Sequence, residues 1–563
     1  MGRPSQLKPA ITGSNRRDFF KRSGATTVAV AVAAQLLPLA ANAAAASTVF
    51  QHGVASGDPL NDRVILWTRV TPTAIKSSIA VSYVVATDPA LTQVVLRGTT
   101  KTNPGRDNTV KVDALGLRAN TTYYYQFGAE GTLSPVGRTK TLPVGPTSSL
   151  RMAVVSCSNH AYGYFNAYGR IAQRADLDLV MHLGDYIYEY AAGQYGTART
   201  PEPAHEIVSL SDYRQRHAQY KRDVDSQAMH RQHPLVAIWD DHETANNSNK
   251  TGAENHQSAT EGDWATRVAN ALQAYYEWMP VRPVDATNLR KNNRCYAYGD
   301  LADLIMLEQR VNGRSPQLTT STHATPFGPG FNQTDPGYGD ASRTLLGADQ
   351  EVWLTERLRS TPARWKMLGQ GVMFAQLKGV AAANAAGGGT FLNSDQWDGY
   401  QPARNRIYEV LKGDATHAPV SNVVVLTGDI HSAWAADLTQ DPNNSNTATG
   451  GYNPATGEGS RAVEFVGTSV SSPGVDSDTS GQIAGGLRFF NPHFKYINLT
   501  KRGYMLLDVN RDRAVCEWWH LDTALSPSTV ETFATAFAVG FGTNHLVPAV
   551  QTTPRANPPM LAP

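Results

Sequence analysis

The sequence predicts a mixed α+β or α/β chain, with an N-terminal β-sandwich followed by a layered α/β domain. Three observations carry this: short β-branched runs between residues 50 and 142, a change of rhythm at Leu150, and a composition able to fill more than one core. Of 563 residues, 41% are hydrophobic and 17% charged, with 10 Trp and 23 Tyr. That content excludes wholesale disorder, and at roughly 100–200 residues per domain the length implies two or three domains. The one long apolar run covers residues 26–46, so neither a multi-pass membrane protein nor a membrane span in the mature chain is expected.

Residues 1–43 read as an address. Arg16-Arg17-Asp18-Phe19-Phe20-Lys21 precedes an Ala/Val-rich stretch ending in Ala41-Asn42-Ala43. A basic n-region, an apolar h-region and an A-x-A end describe a bacterial export signal, and the paired arginines point to the twin-arginine type. The expected partner is the twin-arginine export machinery, and the expected location is periplasmic or secreted. Residues 1–43 hold six of the 50 basic and one of the 48 acidic residues, leaving 44 against 47 in the body. A nearly neutral body with no nucleic-acid-binding motif gives no support to nucleic-acid binding. A monomer is expected. Cys157, Cys295 and Cys516 are too few for a disulfide framework; a Cys295–Cys516 pair stays open.

Residues 44–146 form the expected sandwich. Runs at 63–70, 79–86, 94–99, 109–112 and 122–127 are rich in β-branched and aromatic residues, separated by Gly, Pro, Asn and Asp. Their spacing suits a β-sandwich, and residues 117–125 resemble the tyrosine-corner entry of immunoglobulin- and fibronectin-III-like domains. Pro143-Val144-Gly145-Pro146 reads as a linker. Residues 147–526 form the second expected domain: apolar strands at 152–156, 179–185, 235–241 and 423–429, with helical stretches such as 164–174 and 349–358 between them. Residues 440–460 read as a surface loop. Residues 527–563 are a C-terminal segment whose apolar stretch, 533–541, could pack over the mouth of a site.

Four strand ends carry the chemistry: Ser156-Cys157-Ser158-Asn159, Gly184-Asp185-Tyr186-Ile187-Tyr188-Glu189, Trp239-Asp240-Asp241-His242-Glu243 running on to Asn246-Asn247, and Gly428-Asp429-Ile430-His431. One parallel sheet would bring all four tips to a single edge. Asp185, Asp240, Asp241 and Asp429 crowded there would repel, so cations are expected. Two metals about 3.5–4 Å apart would lower the pKa of water and suit in-line attack on phosphorus by metal-bound hydroxide. Asp185 is placed to bridge such a pair.

These blocks resemble the PhoD-like alkaline phosphatases, a branch of the metallophosphoesterase group. The opening Phe50-Gln51-His52-Gly53-Val54-Ala55-Ser56-Gly57-Asp58-Pro59, Leu346-Gly347-Ala348-Asp349-Gln350, the segment 393–400 and Gly503-Tyr504 extend the resemblance over nearly the whole mature chain. It implies a metallophosphoesterase-type α/β domain and an Fe3+ and Ca2+ centre, with no fixed number of calcium ions. On iron it implies the Cys157 thiolate, the Tyr188 phenolate and His431, with Asp185 shared. On the calcium side it implies Asp241 and Asp429, with Asn246 or Asn247 adding a neutral oxygen. His242 and Asp241 are the catalytic candidates, His242 assisting a leaving group or holding phosphate. Leu307-Glu308-Gln309-Arg310 departs from the family's LDTR pattern, so Glu308 is left out of the site. The implied activity is hydrolysis of phosphate monoesters, with diesters as a further substrate class. The alternative is a phosphodiesterase or phospholipase D of the same family.

Single residues also have plainer readings. Cys157 alone would be an inert buried thiol, Tyr188 a packing tyrosine, Asp185 a turn former and His431 a core histidine. Asp240 or Asp241 could cap a helix over Glu243, with Asp241 the favoured ligand. His160, His182 and His217 read as ordinary polar positions. His493, Trp397 and Tyr400 stay open between packing and lining the site.

Overall fold

The structure, a computed structural model, describes residues 48–318, 323–382 and 388–563. The export signal expected over residues 1–43 lies outside the described residues. Among the described residues, no helix is long and apolar enough to cross a membrane.

Two large sheets organise the chain. The first has ten strands, of which Ser149–Val155, Leu179–His182, Pro234–Ala237 and Val54–Gly57 are adjacent and parallel. The second has seven, with Ala302–Met306, Trp365–Gln370, Val423–Thr427 and Ala462–Val466 adjacent and parallel. Parallel strands covered on both faces need apolar side chains on each, and successive residues point to opposite faces. Met152 and Val154 accordingly enter the core between the sheets, whereas Ala153 and Val155 join the cluster under the outer helices. Val424 and Leu426 meet them from the second sheet, with Val423 and Val425 facing outward.

Helices Asn166–Ala172, Leu210–Arg222, Val224–Gln232 and Trp264–Trp278 cover the first sheet; Ala348–Ser360, Gln401–Lys412 and Gln482–Phe490 cover the second. The layers therefore run helix, sheet, sheet, helix. Local signals start these helices where they are needed: Ser209 and Asp212 form a reciprocal capping box at the head of Leu210–Arg222, and Asp223 caps Val224–Gln232.

The strands expected before residue 146 divide between two sheets. Ile79–Ala86, Val94–Thr102, Thr122–Ala129, Thr132–Leu133 and Gly137–Lys140 make a five-stranded sheet, while Arg63–Arg69 and Thr109–Leu115 extend the ten-stranded one. Val64, Leu66 and Val112 share a buried cluster with Val81, Val85 and Phe127 of the smaller sheet. Ser56 pairs with Pro234, and Asp58 accepts from Arg294 Nη1 at 2.8 Å, so the opening strands are bonded into the sheet that bears the site.

The C-terminal segment does not cover the site. Glu531–Gly540 and Leu546–Ala549 are the outer strands of the ten-stranded sheet. The last residues run beneath its opposite end, where the Met560 carbonyl accepts from Tyr124 and Ala562 exchanges hydrogen bonds with Gln232. Cys295 and Cys516 stand on strands of different sheets, and both thiols are free.

Candidate metal centre

Three of the four tips come from the first sheet, but the fourth comes from the second, which corrects the expectation of one common parallel sheet. The two facing sheets bring the ends of these strands together at the site. The Val470 and Ser471 amides, just past Ala462–Val466, donate to the carbonyls of Ser156 and Cys157 at 3.0 and 3.3 Å. At Gly428 a Cβ would lie 2.7 Å from the Ser156 Cβ, so only glycine lets the fourth tip approach the first. Gly184, at φ +104°, is confined in the same way: a Cβ there would lie 2.5 Å from the Asp240 nitrogen.

The donors sit on strained backbone. Cys157, Asp185, Asp429 and His431 all have positive φ, between 54° and 62°, as does Asn247 at 54°. Such conformations cost about 1–3 kcal/mol each and cluster at functional sites. Here they turn each side chain off the end of its strand toward a common point.

The side chains form three overlapping groups whose ligand atoms lie within 4.8 Å of one another: Cys157, Asp185 and His431; Asp185, Asp241 and His242; Asp240, Asp241 and Asp429. Asp185 belongs to the first two and Asp241 to the last two. Tyr188 joins the first, its hydroxyl 3.0 Å from Asp185 Oδ2 and 3.1 Å from His431 Nε2. Burial, then Asp185 and Cys157, push the Tyr188 phenol well above its ordinary pKa, so only an added positive charge would make it a phenolate. His431 Nδ1 lies 2.9 Å from the Pro473 carbonyl; donating there leaves Nε2 with its lone pair toward the donors.

A network of polar residues that the sequence reading did not assign holds these donors. Glu189, fully buried, takes His242 Nδ1 at 2.6 Å, the Asn246 amide at 2.7 Å and Asn255 Nδ2 at 2.9 Å. Burial opposes charge on His242, but Glu189, Asp241 and Asp185 outweigh it and raise its pKa to about 10. Turns, not a helix, follow Asp240-Asp241, so neither has a helix to cap; Glu243 instead accepts from the Asp185, Tyr186 and Asp240 amides and so ties the second tip to the third. Asn246 is held through its backbone. Asn247 bonds Glu254 through Nδ2, at 2.6 Å, and its buried Oδ1 has no hydrogen-bond partner.

Arg310 alters the charge expectation. Its fully buried guanidinium bonds Asp240, lies 3.0 Å from both Asp395 oxygens, 3.1 Å from Asp429 Oδ1 and 3.6 Å from Asp241 Oδ1. Part of the positive charge that the carboxylates require is thus built into the chain. Glu308 carries no donor role here; it accepts from Trp239 Nε1 and from the amides of Arg310, Val311 and Asn312, bracing the loop that presents Arg310. The motif Leu307-Glu308-Gln309-Arg310 is legible in the sequence, but nothing along the chain marks Arg310 as a buried counter-charge. Asp395 had no signal beyond its place in the segment 393–400.

The donor set fits metal ions. Thiol, phenol and imidazole gather at one end, carboxylates and an amide oxygen at the other, and Asn247 Oδ1 is a buried acceptor without a hydrogen-bond partner. His160, His182 and His217 are buried, against expectation, and burial lowers all three to pKa values of about 3. His493 bonds the Gln376 carbonyl through Nε2 and packs on Phe494. Trp397 and Tyr400 lie in the core of the second sheet.

Residues 152–518 match the family model described as PhoD-like phosphatase, and residues 33–143 match that of the PhoD-like phosphatase N-terminal domain. The chain is 36% identical over 536 residues to alkaline phosphatase D of Bacillus subtilis strain 168, covering 92% of this chain and 85% of that protein. A solved structure titled as that of PhoD superposes with a TM-score of 0.78 at 34% identity, over 91% of this chain and 94% of the other.

Proposed function

The chain belongs to the PhoD-like phosphatase family and is a phosphoric ester hydrolase, and from that premise we propose that it is an exported enzyme with an iron–calcium centre, hydrolysing phosphate monoesters and diesters. The observation that carries this is the overlap of donor groups, in which Asp185 and Asp241 are each shared by two neighbouring clusters. Cys157, Tyr188 and His431 would hold ferric iron, with Asp185 common to iron and calcium. Asp241, Asp429 and the Asn247 oxygen, rather than Asn246, would hold calcium. Such cations supply Lewis acidity, withdrawing charge from phosphoryl oxygens and making a nucleophile of water near neutral pH.

The chain's own groups do the rest. Glu189 fixes the proton on His242 Nδ1, leaving Nε2 to donate a proton to the departing ester oxygen. Asp241 orients by accepting the Asn247 amide at 2.7 Å. Arg310 pairs with Asp240, Asp395 and Asp429 and lies 3.6 Å from Asp241, so that of these four acids Asp241 is the one it holds least closely. The reading includes an immunoglobulin- or fibronectin-III-like sandwich over residues 44–146 and metallophosphoesterase-type layering over 147–526, for which the shared cluster around Val64 and Phe127 and the four-layer order are support. Export through the twin-arginine route rests on Arg16-Arg17 and the stretch behind them.

The test is elemental analysis of protein exported by its native host, with 4-nitrophenyl phosphate and bis(4-nitrophenyl) phosphate assayed before and after chelation. Bound iron and calcium, and activity lost with them, are expected. Full activity in metal-stripped protein would sink the metal reading.

A further inference from the structure

Within the donor cluster, the Tyr188 and His242 rings stack at a centroid distance of 4.2 Å, both buried. Tyr195 continues this stack outward: its ring is 5.8 Å from Tyr188, 6.2 Å from His242 at an interplanar angle of 25°, and 6.3 Å from His431. Tyr190 lies 5.2 Å from Tyr195. Unlike the rings behind them, Tyr190 and Tyr195 are partly exposed. They stand where the buried donor cluster meets solvent.

The segment that carries them is fixed. Asn159 Nδ2 donates to the Tyr195 carbonyl at 2.8 Å, and Arg216 Nη2 donates to the carbonyls of Tyr190 and Pro203 at 3.3 and 2.9 Å. Gly196 follows at φ +134°, where a Cβ would lie 2.5 Å from the Tyr162 nitrogen. The Ala192 amide closes the loop on the Ala204 carbonyl at 2.7 Å. The Tyr195 hydroxyl lies 3.3 Å from His431 Nδ1, which ties the ring's tilt to a metal donor.

A phosphate ester whose phosphoryl group meets the donors must run its leaving group past the partly exposed residues around them. We propose that Tyr195, with Tyr190 beside it, is a leaving-group subsite that selects esters with a flat apolar leaving group, aryl esters over small polyol esters. Aromatic faces and edges attract another flat ring beyond simple area burial, and rings already held rigid lose little freedom on binding. A glycerol chain offers no such face. The proposal rests on the phosphoesterase reading and deepens it.

The test compares kcat/KM for phenyl phosphate and glycerol 2-phosphate in wild type, Y195A, Y195L and Y195F, with metal content measured alongside. Activity of wild type on both esters checks the phosphoesterase reading separately; activity on neither would sink that reading and this one with it. The aryl-to-glycerol ratio is expected to fall about ten-fold in Y195A and Y195L, mainly through KM for the aryl ester, and to hold in Y195F. Equal losses on both esters, or a ratio that falls as far in Y195F, would overturn the subsite, as would losses that simply follow lost metal. Y195L keeps the bulk of the side chain, so the comparison stands even where Y195A does not fold.

Discussion

Arg310 places one guanidinium among Asp240, Asp241, Asp395 and Asp429 with no exposure to solvent. Removing one partner from a buried ion pair leaves the other charge unpaired, at a cost of about 3–5 kcal/mol. Arg310→Met is therefore expected to lower unfolding stability by that amount in urea titrations, and Arg310→Lys to recover only a minor part, because an ammonium cannot span the same fork. His242 and Glu189 give a second prediction, for metal-stripped protein. Burial disfavours the imidazolium, yet Glu189, Asp241 and Asp185 raise its pKa to about 10 from 6.5. Between those pH values the native state holds a proton that the unfolded state has lost, so the stabilisation is complete below pH 6.5 and disappears as pH rises to 10. Glu189→Gln should thus destabilise strongly at pH 6 and far less at pH 10, read from urea midpoints of the chelated protein. A loss independent of pH would show that Glu189 acts through Asn246 and Asn255 alone.

At the scale of elements, the strand ends and the glycines beside them decide the geometry. Near-continuous apolar runs at 152–156 and 423–429 mark both as strands buried on two faces, and they form as Ser149–Val155 and Val423–Thr427. An apolar run says nothing about which strands share a sheet, so the placement of Val423–Thr427 in a second sheet is not readable from it. The apolar run 533–541 shows the same limit: it fits a lid or an edge strand equally well, and pairing with Arg513–Leu521 settles it as a strand. Deleting residues 527–563 should accordingly expose an unpaired edge and reduce solubility and stability, not open the site. Thermal melting and light scattering of the shortened protein, beside its kcat/KM, check this; a stable protein with raised activity would contradict it.

For the whole molecule, the ten-stranded sheet takes strands from the opening segment, from residues 149–237 and from the C-terminal part of the chain. The parallel pairing of Val54–Gly57 with Pro234–Ala237 and the bond from Arg294 to Asp58 run between parts that sequence alone separates at residue 146. Calorimetry is expected to show one main unfolding transition for the protein, since the ten-stranded sheet is built from both parts. Two well-resolved transitions would count against that coupling.

Residue types alone supply the candidate donors, their positions at strand ends and the family resemblance, because apolar strand runs and metal-ligand chemistry are both local properties of residue type. Tertiary structure decided which residues meet. The grouping of donors around Asp185 and Asp241 and the buried charge of Arg310 depend on two facing sheets that bring distant strand ends together, and the bracing by Glu189 and Glu243 on neighbouring strands of the first. Contacts of that reach leave no periodic trace along the chain, since each partner's spacing is set by the folds between them and not by its own neighbours.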